Sequence, residues 1–206
     1  MHVYPCASVW NFPCGGLSYM ELVSAIIPAY NAAETLPRAL DSVLNQTYPH
    51  VEIVLVDDGS TDDTERLIRE HYPQVRYHRQ TNRGLAATRN VAAALARGEV
   101  LAMLDADDAW RPDKLERQLA VLRTHPEAAA VSCHRWRVKV DANGRELWRR
   151  PSRHADGELQ EIGFFEELWG NKVLGPGIII RREAYERHGG YDETLLAIED
   201  LDFWLR

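Results

Sequence analysis

The chain has 206 residues, of which 45% are hydrophobic, and its formal net charge at pH 7 is −7. This length fits one full-sized domain with a buried core, and the acidic balance, without a stripe of lysine and arginine, argues against a nucleic-acid partner. The three cysteines form no Cys-x-x-Cys pair, so the sequence indicates neither a disulfide framework nor a zinc site.

The first twenty residues differ in character from the rest. They lack a basic region followed by an uninterrupted apolar run, and Pro5 and Pro13 interrupt any helix, so a secretory signal is not expected. Met20 stands just before the first convincing strand. We therefore predict a poorly ordered extension over residues 1–20 and one core domain over residues 21–206. No apolar run approaches the ~20 residues of a membrane span, which favours a soluble, cytoplasmic domain.

From residue 22 onward, strand patterns alternate with helix patterns. Apolar runs predict strands at 22–27, 51–56, 75–78 and 100–104. Between and after them we predict four helices: one with a stripe from Leu36 to Leu44, one capped by Ser60 or Thr61, one over 85–97 with Gly98 as the C′ residue, and one opened by Pro112. This order predicts an α/β fold with a mainly parallel sheet flanked by helices.

The pattern changes after Pro126. A strand is predicted over 128–133, and alternating apolar residues on either side of a turn at 141–144 predict a hairpin that returns through Leu147. The polar residues 149–161 are interpreted as a loop. A short helix at 164–169, a strand at 177–181 and a short helix at 184–188 complete the predicted elements.

Two acidic clusters each follow directly on an apolar strand pattern: Asp57 with Asp58, and the Asp-Ala-Asp-Asp run at 105–108. Open α/β sheets place their ligands at the carboxyl ends of parallel strands. A crevice lined with carboxylates repels a phosphate unless a divalent cation such as Mg²⁺ or Mn²⁺ lies between them. The two clusters therefore indicate a site for a metal-bridged nucleotide.

Five blocks in order along the chain resemble glycosyltransferase family 2. They are VSAIIPAYN at 23–31, VLVDDGSTD at 54–62, NRGLAATRN at 82–90, LDADD at 104–108 and EDLDFWLR at 199–206. Each block alone is weak evidence, but five in this order are highly specific. The resemblance implies a GT-A fold, which is a Rossmann-like sheet with a C-terminal acceptor-side part. It also implies a nucleotide-diphosphate-sugar donor, with a UDP-sugar favoured, and transfer with inversion at the anomeric carbon.

The resemblance assigns nucleotide-binding residues to the first three blocks. Residues that end the first strand would wall the nucleobase: Pro28, Ala29, Tyr30 and Asn31. Asp57 and Asp58 would accept hydrogen bonds from a uracil-type imide, and Arg89 would help hold the nucleotide. The alternatives stay open at this point: a plain turn for the first strand end, helix capping for the aspartates, and a surface position for Arg89.

The fourth block resembles the DxD motif of the family. Asp105, with Ala106 beside it, would face the ribose or the metal, and Asp107 would ligate Mn²⁺ or Mg²⁺, with Asp108 as an alternative ligand. The cation would hold the diphosphate and stabilise the leaving group. The alternative is an acidic turn that favours the dipole of the following helix, although several carboxylates repel one another there.

The fifth block would carry the catalytic base. Inversion requires a group that takes the proton of the acceptor hydroxyl; Asp200 matches the base of the family, and Glu199 would orient it or the acceptor. The alternative is the first turn of an amphipathic helix. The acceptor would be a saccharide, a lipid-linked molecule or another hydroxyl compound, in synthesis of cell-surface polysaccharide or glycan.

Three other functions share some of these sequence features. A phosphate-accepting receiver domain of signalling proteins also binds Mg²⁺ at an Asp-Asp pair, but a strand and a helix precede the pair here. A sugar nucleotidyltransferase would carry a Gly-rich loop near the first strand, where this chain has Pro28. A non-catalytic nucleotide-sugar binder stays open. Because the chain stops inside the helix that begins near Asp200, we expect a truncated core, with membrane association at the inner face through a further C-terminal part.

Overall fold

The computed structural model describes residues 8–11, 21–133, 136–140, 146–151, 160–161, 175–195 and 197–206. Its strands are β1 (Ser8–Asn11), β2 (Val23–Ala29), β3 (Val51–Asp57), β4 (Arg76–Arg79), β5 (Val100–Met103), β6 (Ala128–Val131), β7 (Trp136–Val140), β8 (Glu146–Pro151), β9 (Gln160–Glu161) and β10 (Ile179–Arg181). Its helices are α1 (Leu36–Leu44), α2 (Thr64–His71), α3 (Leu85–Leu95), α4 (Lys114–Thr124), α5 (Arg182–Arg187) and α6 (Glu199–Leu205).

Eight of these strands form one sheet in the order β4-β3-β2-β5-β10-β6-β1-β9, and β7 pairs with β8 separately. The strands β4, β3, β2 and β5 are mutually parallel, whereas β10 is antiparallel to both β5 and β6. The predicted α/β architecture with a mainly parallel sheet is confirmed, and the antiparallel β10 follows the four strands that position the site.

The strands divide the core into two layers because successive side chains point to opposite faces of a sheet. Val23, Ala25 and Ile27 pack in the layer that contains α1, α2 and α4. Ile26, on the other face of β2, packs in the layer that contains α3, α5 and α6. β2 is buried along its whole length, as expected for a parallel strand that helices cover on both faces.

Several predicted helix ends differ from the structure. α4 begins at Lys114 after the N-cap residue Asp113, so Pro112 lies before the helix and does not open it, and α5 spans Arg182–Arg187 where 184–188 was predicted. α3 ends at Leu95, and Ala96 is already extended, with ψ of 153°, so Gly98 is not its C′ residue. A Cβ at Gly98 would lie 2.5 Å from the backbone oxygen of Leu22, which means that this glycine serves close backbone packing. Neither Ser60 nor Thr61 caps α2, because Asp63 is the N-cap residue and makes no side-chain cap hydrogen bond.

Some predicted loops contain strands. Ser8–Asn11, in the segment expected to be poorly ordered, pairs with β6 and β9 and so lengthens the sheet. The predicted loop at 149–161 begins within β8, where Arg149 pairs with Val138 of β7, and it ends in β9. The predicted turn at 141–144 and helix at 164–169 lie outside the described residues. Within the described ranges, no helix combines the length and the apolar character that a membrane span requires.

Candidate functional site

The two acidic clusters and the end of β2 lie at one edge of the sheet. β3, β2 and β5 are adjacent and parallel, so their carboxyl ends meet where ligands bind in open α/β sheets. Asp57 ends β3, Tyr30 follows β2, and Asp105 follows β5 by two residues. The structure therefore brings together the residues of three separate sequence blocks.

The end of β2 combines a buried strand with an exposed ring. Pro28 and Ala29 lie inside the strand and are buried, whereas Tyr30 is 54% exposed. Asn31 adopts a left-handed conformation, with φ of 50°, and its backbone N–H donates to Ser60 Oγ at 2.9 Å. Asn31 Oδ1 accepts from the Thr61 N–H at 2.8 Å, so the loops that follow β2 and β3 are joined and the Tyr30 ring is left facing outward.

Asp57 is fully buried, and both of its carboxylate oxygens accept hydrogen bonds. Oδ1 accepts from the Ser60 N–H at 2.8 Å, and Oδ2 accepts from the Tyr77 hydroxyl at 2.7 Å. Burial, together with this hydrogen bond, raises the pKa of Tyr77, so the phenol remains a donor at neutral pH. Asp57 therefore stabilises the carboxyl end of β3 through buried hydrogen bonds.

Asp58 organises the loop that leads into α3. Its Oδ1 accepts from Gln80 Nε2 at 2.7 Å and from the Arg83 N–H at 2.9 Å, while Oδ2 accepts from the Gly84 N–H at 2.9 Å. The residue is 4% exposed. A carboxylate has about four lone-pair sites, so Oδ2 keeps capacity for one more donor. Asp58 does not cap α2, which was the alternative role for the pair.

The residues after β5 form a turn that presents carboxylates of different exposure. The Asp108 N–H donates to the Asp105 carbonyl oxygen at 3.0 Å, and the Asp107 carbonyl oxygen accepts from the Arg38 guanidinium. Asp107 is exposed, whereas Asp105, Ala106 and Asp108 are half-buried. This arrangement leaves the Asp107 carboxylate at the surface of the crevice.

No three His, Cys, Asp or Glu side chains in the described ranges converge as a ready-made metal cage. Asp105, Asp107 and Asp108 therefore do not form a preassembled group of three metal ligands. Mg²⁺ is nevertheless commonly bound by one or two carboxylates together with substrate phosphates and water. The oxygen donors of Asp107 and Asp105 fit that type of site, and a metal there stays a prediction.

Arg89 lies in the middle of α3 and is 5% exposed. Its Nη1 donates to Glu199 Oε1 at 2.7 Å and its Nη2 donates to Asp105 Oδ1 at 3.0 Å. Burial alone would lower the pKa of the guanidinium, but the neighbouring Tyr191, Asp105 and Glu199 together outweigh burial and raise the pKa. The surface position considered for Arg89 is wrong, because the side chain is buried between two carboxylates.

Glu199 and Asp200 begin α6, as predicted. The Glu199 side chain is 13% exposed and faces Arg89, while Asp200 is half-buried and its Oδ1 accepts from the Leu201 N–H at 2.8 Å. Ile198, just before the helix, has φ of 59° and is 64% exposed. A branched side chain in this region of φ is strained, and such strain clusters at functional sites.

Two further residues, neither of them predicted from the sequence, hold this part of the site. Asn90 Oδ1 accepts from the Tyr191 N–H at 2.9 Å, and its Nδ2 donates to the Tyr191 carbonyl oxygen at 2.9 Å. The Tyr191 ring lies 5.4 Å from the Arg89 guanidinium carbon. The position of Asn90 next to Arg89, and the Gly-Gly that precedes Tyr191, were the available signals.

Comparison with known proteins agrees with this geometry. Chondroitin synthase of Escherichia coli is 32% identical over 193 residues, which are 92% of this chain and 27% of the synthase. The structure of S. aureus TarS 1–349 in complex with UDP matches with a TM-score of 0.68 and 25% identity over 88% of this chain and 53% of TarS. A mannosyltransferase of Pyrobaculum calidifontis, solved with GDP-Man and Mn²⁺, matches with a TM-score of 0.65 and 26% identity over 96% and 53% of the two chains.

This chain thus spans about half of these two structures and 27% of the synthase. The model of the family described as "Glycosyl transferase family 2" matches residues 24–189, most of the chain. The matched region contains the first four sequence blocks except Val23, and the structural neighbours are glycosyltransferases of the GT-A type. The chain belongs to glycosyl transferase family 2, and its fold is the GT-A fold.

Proposed function

We propose that this chain is the donor-binding part of a metal-dependent inverting glycosyltransferase. It would transfer a sugar from a nucleotide-diphosphate-sugar, with a UDP-sugar favoured, to an acceptor hydroxyl. One observation carries the proposal: Arg89 contacts both Asp105, after β5, and Glu199, at the start of α6. This shared contact joins the donor-side carboxylate to the neighbour of the candidate base, which supports one common site.

The nucleoside would lie against the ends of β2 and β3. The exposed Tyr30 ring offers a flat apolar face for a base, and the remaining acceptor capacity of Asp58 Oδ2 suits an imide N–H. Both UDP and GDP-Man occur in the related structures. The preference for uracil rests on this acceptor oxygen of Asp58.

The diphosphate would lie beside residues 105–108. Asp107, which is exposed, and Asp105 would hold Mn²⁺ or Mg²⁺ there, and the cation would neutralise charge on the departing nucleotide diphosphate. The related mannosyltransferase structure with GDP-Man and Mn²⁺ supports the use of a divalent ion. A receiver-type phosphoaspartate function is set aside because the chain belongs to a glycosyltransferase family.

Asp200 would act as the general base. The oxygen of the acceptor hydroxyl forms a bond to the anomeric carbon as the bond from that carbon to the diphosphate oxygen breaks on the opposite side. The hydroxyl proton passes to the Asp200 carboxylate, and the electron pair of the broken bond leaves with the nucleotide diphosphate. Glu199, which is fixed by Arg89, would hold the start of α6 so that Asp200 faces the acceptor.

The acceptor would be a saccharide, a lipid-linked molecule or another hydroxyl compound, and the pathway would be synthesis of a cell-surface polysaccharide or glycan. A relative named for chondroitin synthesis supports this class. Cytoplasmic localisation, at the inner face of the membrane, belongs to the same proposal, and fractionation of cells tests it.

A panel of nucleotides tests the donor class. Thermal unfolding is measured with UDP, GDP, dTDP and CMP, each with Mn²⁺ or with EDTA. A ligand at 100 times its Kd adds about 2.7 kcal/mol to the free energy of unfolding. We expect one diphosphate, UDP first, to stabilise the protein in the presence of Mn²⁺. Absence of stabilisation by every diphosphate would remove the proposed function.

A further inference from the structure

The Arg89 side chain joins two parts of the site that lie far apart in the sequence. Its guanidinium is 6% exposed and contacts Asp105, whose side chain is 32% exposed, and Glu199, whose side chain is 13% exposed. One positive charge thus serves two carboxylates. Because a buried charge needs its partners, a change at either carboxylate alters how strongly Arg89 holds the other.

Neutral hydrogen bonds join α3, which carries Arg89, to the backbone of Tyr191. Asn90, the next residue of α3, holds the backbone of Tyr191 through both its N–H and its carbonyl oxygen. A Cβ at Gly190 would lie 2.7 Å from Asn90 Oδ1, so the glycine is needed for this close approach. The Tyr191 ring then lies beside the guanidinium. The Arg89 bridge is consequently held in place as one unit with the segment that leads into α6.

The same contacts limit what else Arg89 can do. A guanidinium that holds a phosphate must present its N–H groups to the crevice. Here Nη1 and Nη2 each donate to a carboxylate, and the side chain is almost completely buried. The described contacts therefore favour a role inside the protein over the nucleotide-holding role that the family resemblance implied.

We propose that Arg89 is a positioning residue that couples the donor carboxylate Asp105 to Glu199, beside the candidate base. This inference rests on the proposed function, because it takes Asp105 to serve the cation and the donor diphosphate. Neutralising Glu199 leaves Asp105 as the sole anionic partner of Arg89 in this bridge. Arg89 then holds Asp105 more tightly, and Asp105 becomes a weaker oxygen donor toward the cation.

The test measures UDP binding by isothermal titration calorimetry, with Mn²⁺ and with EDTA, for the wild-type chain and for Glu199→Gln. GDP or dTDP replaces UDP if UDP does not bind. We expect Glu199→Gln to lower the affinity in the presence of Mn²⁺ by at least about fivefold, the lower end of ordinary coupling between sites. The affinity in EDTA should not change. A general loosening of the fold would lower both affinities, so the metal-dependent difference separates coupling from a structural effect.

Asp202→Asn is the matched control because Asp202 lies on the same helix but pairs with Arg206 at 3.0 Å. It should leave both affinities unchanged. In an Arg89→Met background, Glu199→Gln should no longer lower the affinity in the presence of Mn²⁺. If Arg89→Met does not fold, Arg89→Lys replaces it, since one ammonium cannot reproduce the fork of the guanidinium.

The outcomes separate this inference from the function on which it rests. Wild-type binding with an unchanged affinity in Glu199→Gln would overturn the coupling and leave the donor proposal intact. An equal loss in Glu199→Gln and Asp202→Asn would also overturn it. If the wild-type chain binds none of the diphosphates UDP, GDP and dTDP with Mn²⁺, the donor proposal fails and the coupling fails with it.

Discussion

The two halves of the candidate site are built by different kinds of contact. On the donor side, Asp57 and Asp58 are 0% and 4% exposed, and N–H and O–H groups of the neighbouring β3, β4 and α3 segments surround them. On the base side, the Glu199 side chain is 13% exposed, precedes the candidate base Asp200, and shares the Arg89 guanidinium with the donor carboxylate Asp105.

Because of this difference, we expect the two sides to contribute differently to folding stability and to turnover. The carboxylates of Asp57 and Asp58 accept hydrogen bonds from buried N–H and O–H groups. Removal of either carboxylate leaves these groups without an acceptor. On the base side, Asp200 is half-buried and its Oδ1 accepts one backbone hydrogen bond, from the Leu201 N–H, whereas Glu199 neutralises the buried Arg89. We therefore expect substitution of Asp57 or Asp58 to lower both stability and affinity, and substitution of Asp200 to lower turnover with little loss of stability.

The largest effect is expected for Asp200→Asn. The amide keeps the shape of the side chain but cannot accept the acceptor proton, so turnover should fall by about 10²–10⁴-fold, the range for loss of a general base. Nucleotide affinity should be unchanged, because the donor residues are untouched. Initial rates of sugar transfer and calorimetry of UDP binding are compared, with Asp202→Asn as the control. Where the wild type transfers sugar, an equal rate in Asp200→Asn would refute the base assignment.

The next effect concerns the metal. Asp107→Asn should abolish the extra thermal stabilisation that UDP gives with Mn²⁺ compared with EDTA, because the exposed carboxylate supplies a metal ligand. The loss should approach about 2.7 kcal/mol when the wild type is measured at 100 times its Kd. Asp113→Asn is the control, since Asp113 pairs with Arg111 and Arg117. Equal stabilisation of the wild type with and without metal would rule out a metal bridge.

The third effect is expected for a substitution of Asp58 on the donor side. Asp58→Ala should weaken UDP binding even in EDTA by about 1.5–3 kcal/mol, the value of a hydrogen bond to a charged group. It should also lower the melting temperature, because the donors of Gln80, Arg83 and Gly84 lose their acceptor. Calorimetry and thermal unfolding measure the two effects separately. Unchanged affinity together with a lower melting temperature would assign Asp58 to the loop alone.

The smallest effect concerns a buried charge outside both halves. Lys114 Nζ is buried, has no hydrogen-bond partner among the described residues, and lies 4.1 Å from the centre of the Trp110 ring. Burial lowers the pKa of Lys114 from 10.5 to about 8. The unfolded chain then binds more protons than the folded chain between these values, so stability rises with pH across that window.

Lys114→Met should therefore be more stable than the wild type at pH 7, by on the order of 1–3 kcal/mol, since one pKa unit is about 1.4 kcal/mol. This difference should shrink as the pH rises from about 8 toward 10.5. Burial also raises the pKa of the neighbouring Cys133 thiol, which lowers the stability of both proteins at high pH and largely cancels in the comparison. Urea unfolding at several pH values measures the difference, and a pH-independent difference would contradict the assigned pKa.

The sequence predicted the donor side better than the base side. Apolar runs that end in Asp57 and Asp105 place these residues at strand ends, and parallel order brings such ends together, so local patterns were sufficient. Arg89 was identified by its block, but its two ion pairs were not. Glu199 lies 110 residues from Arg89, and hydrophobic periodicity carries no information on contacts at that separation.

Other features of the structure also depend on contacts between residues that lie far apart in the sequence. The pairing of Ser8–Asn11 with β6 arises because β6 offers a strand edge, which nothing in the first twenty residues indicates. The role of Gly98 follows from its close approach to the Leu22 carbonyl oxygen, although its place after a helix resembles that of a C′ residue. The left-handed Ile198 has no signature in residue type, because branched residues rarely adopt that conformation.

We propose that both halves of the candidate site bind one nucleotide diphosphate. A crystal structure of the chain with Mn²⁺ and the diphosphate selected by the thermal panel, with anomalous data for manganese, tests it most directly. We expect a manganese peak at Asp107 and Asp105, a nucleobase beside Tyr30, and a diphosphate that faces Asp200. A nucleotide or a manganese peak bound elsewhere on the chain would contradict it.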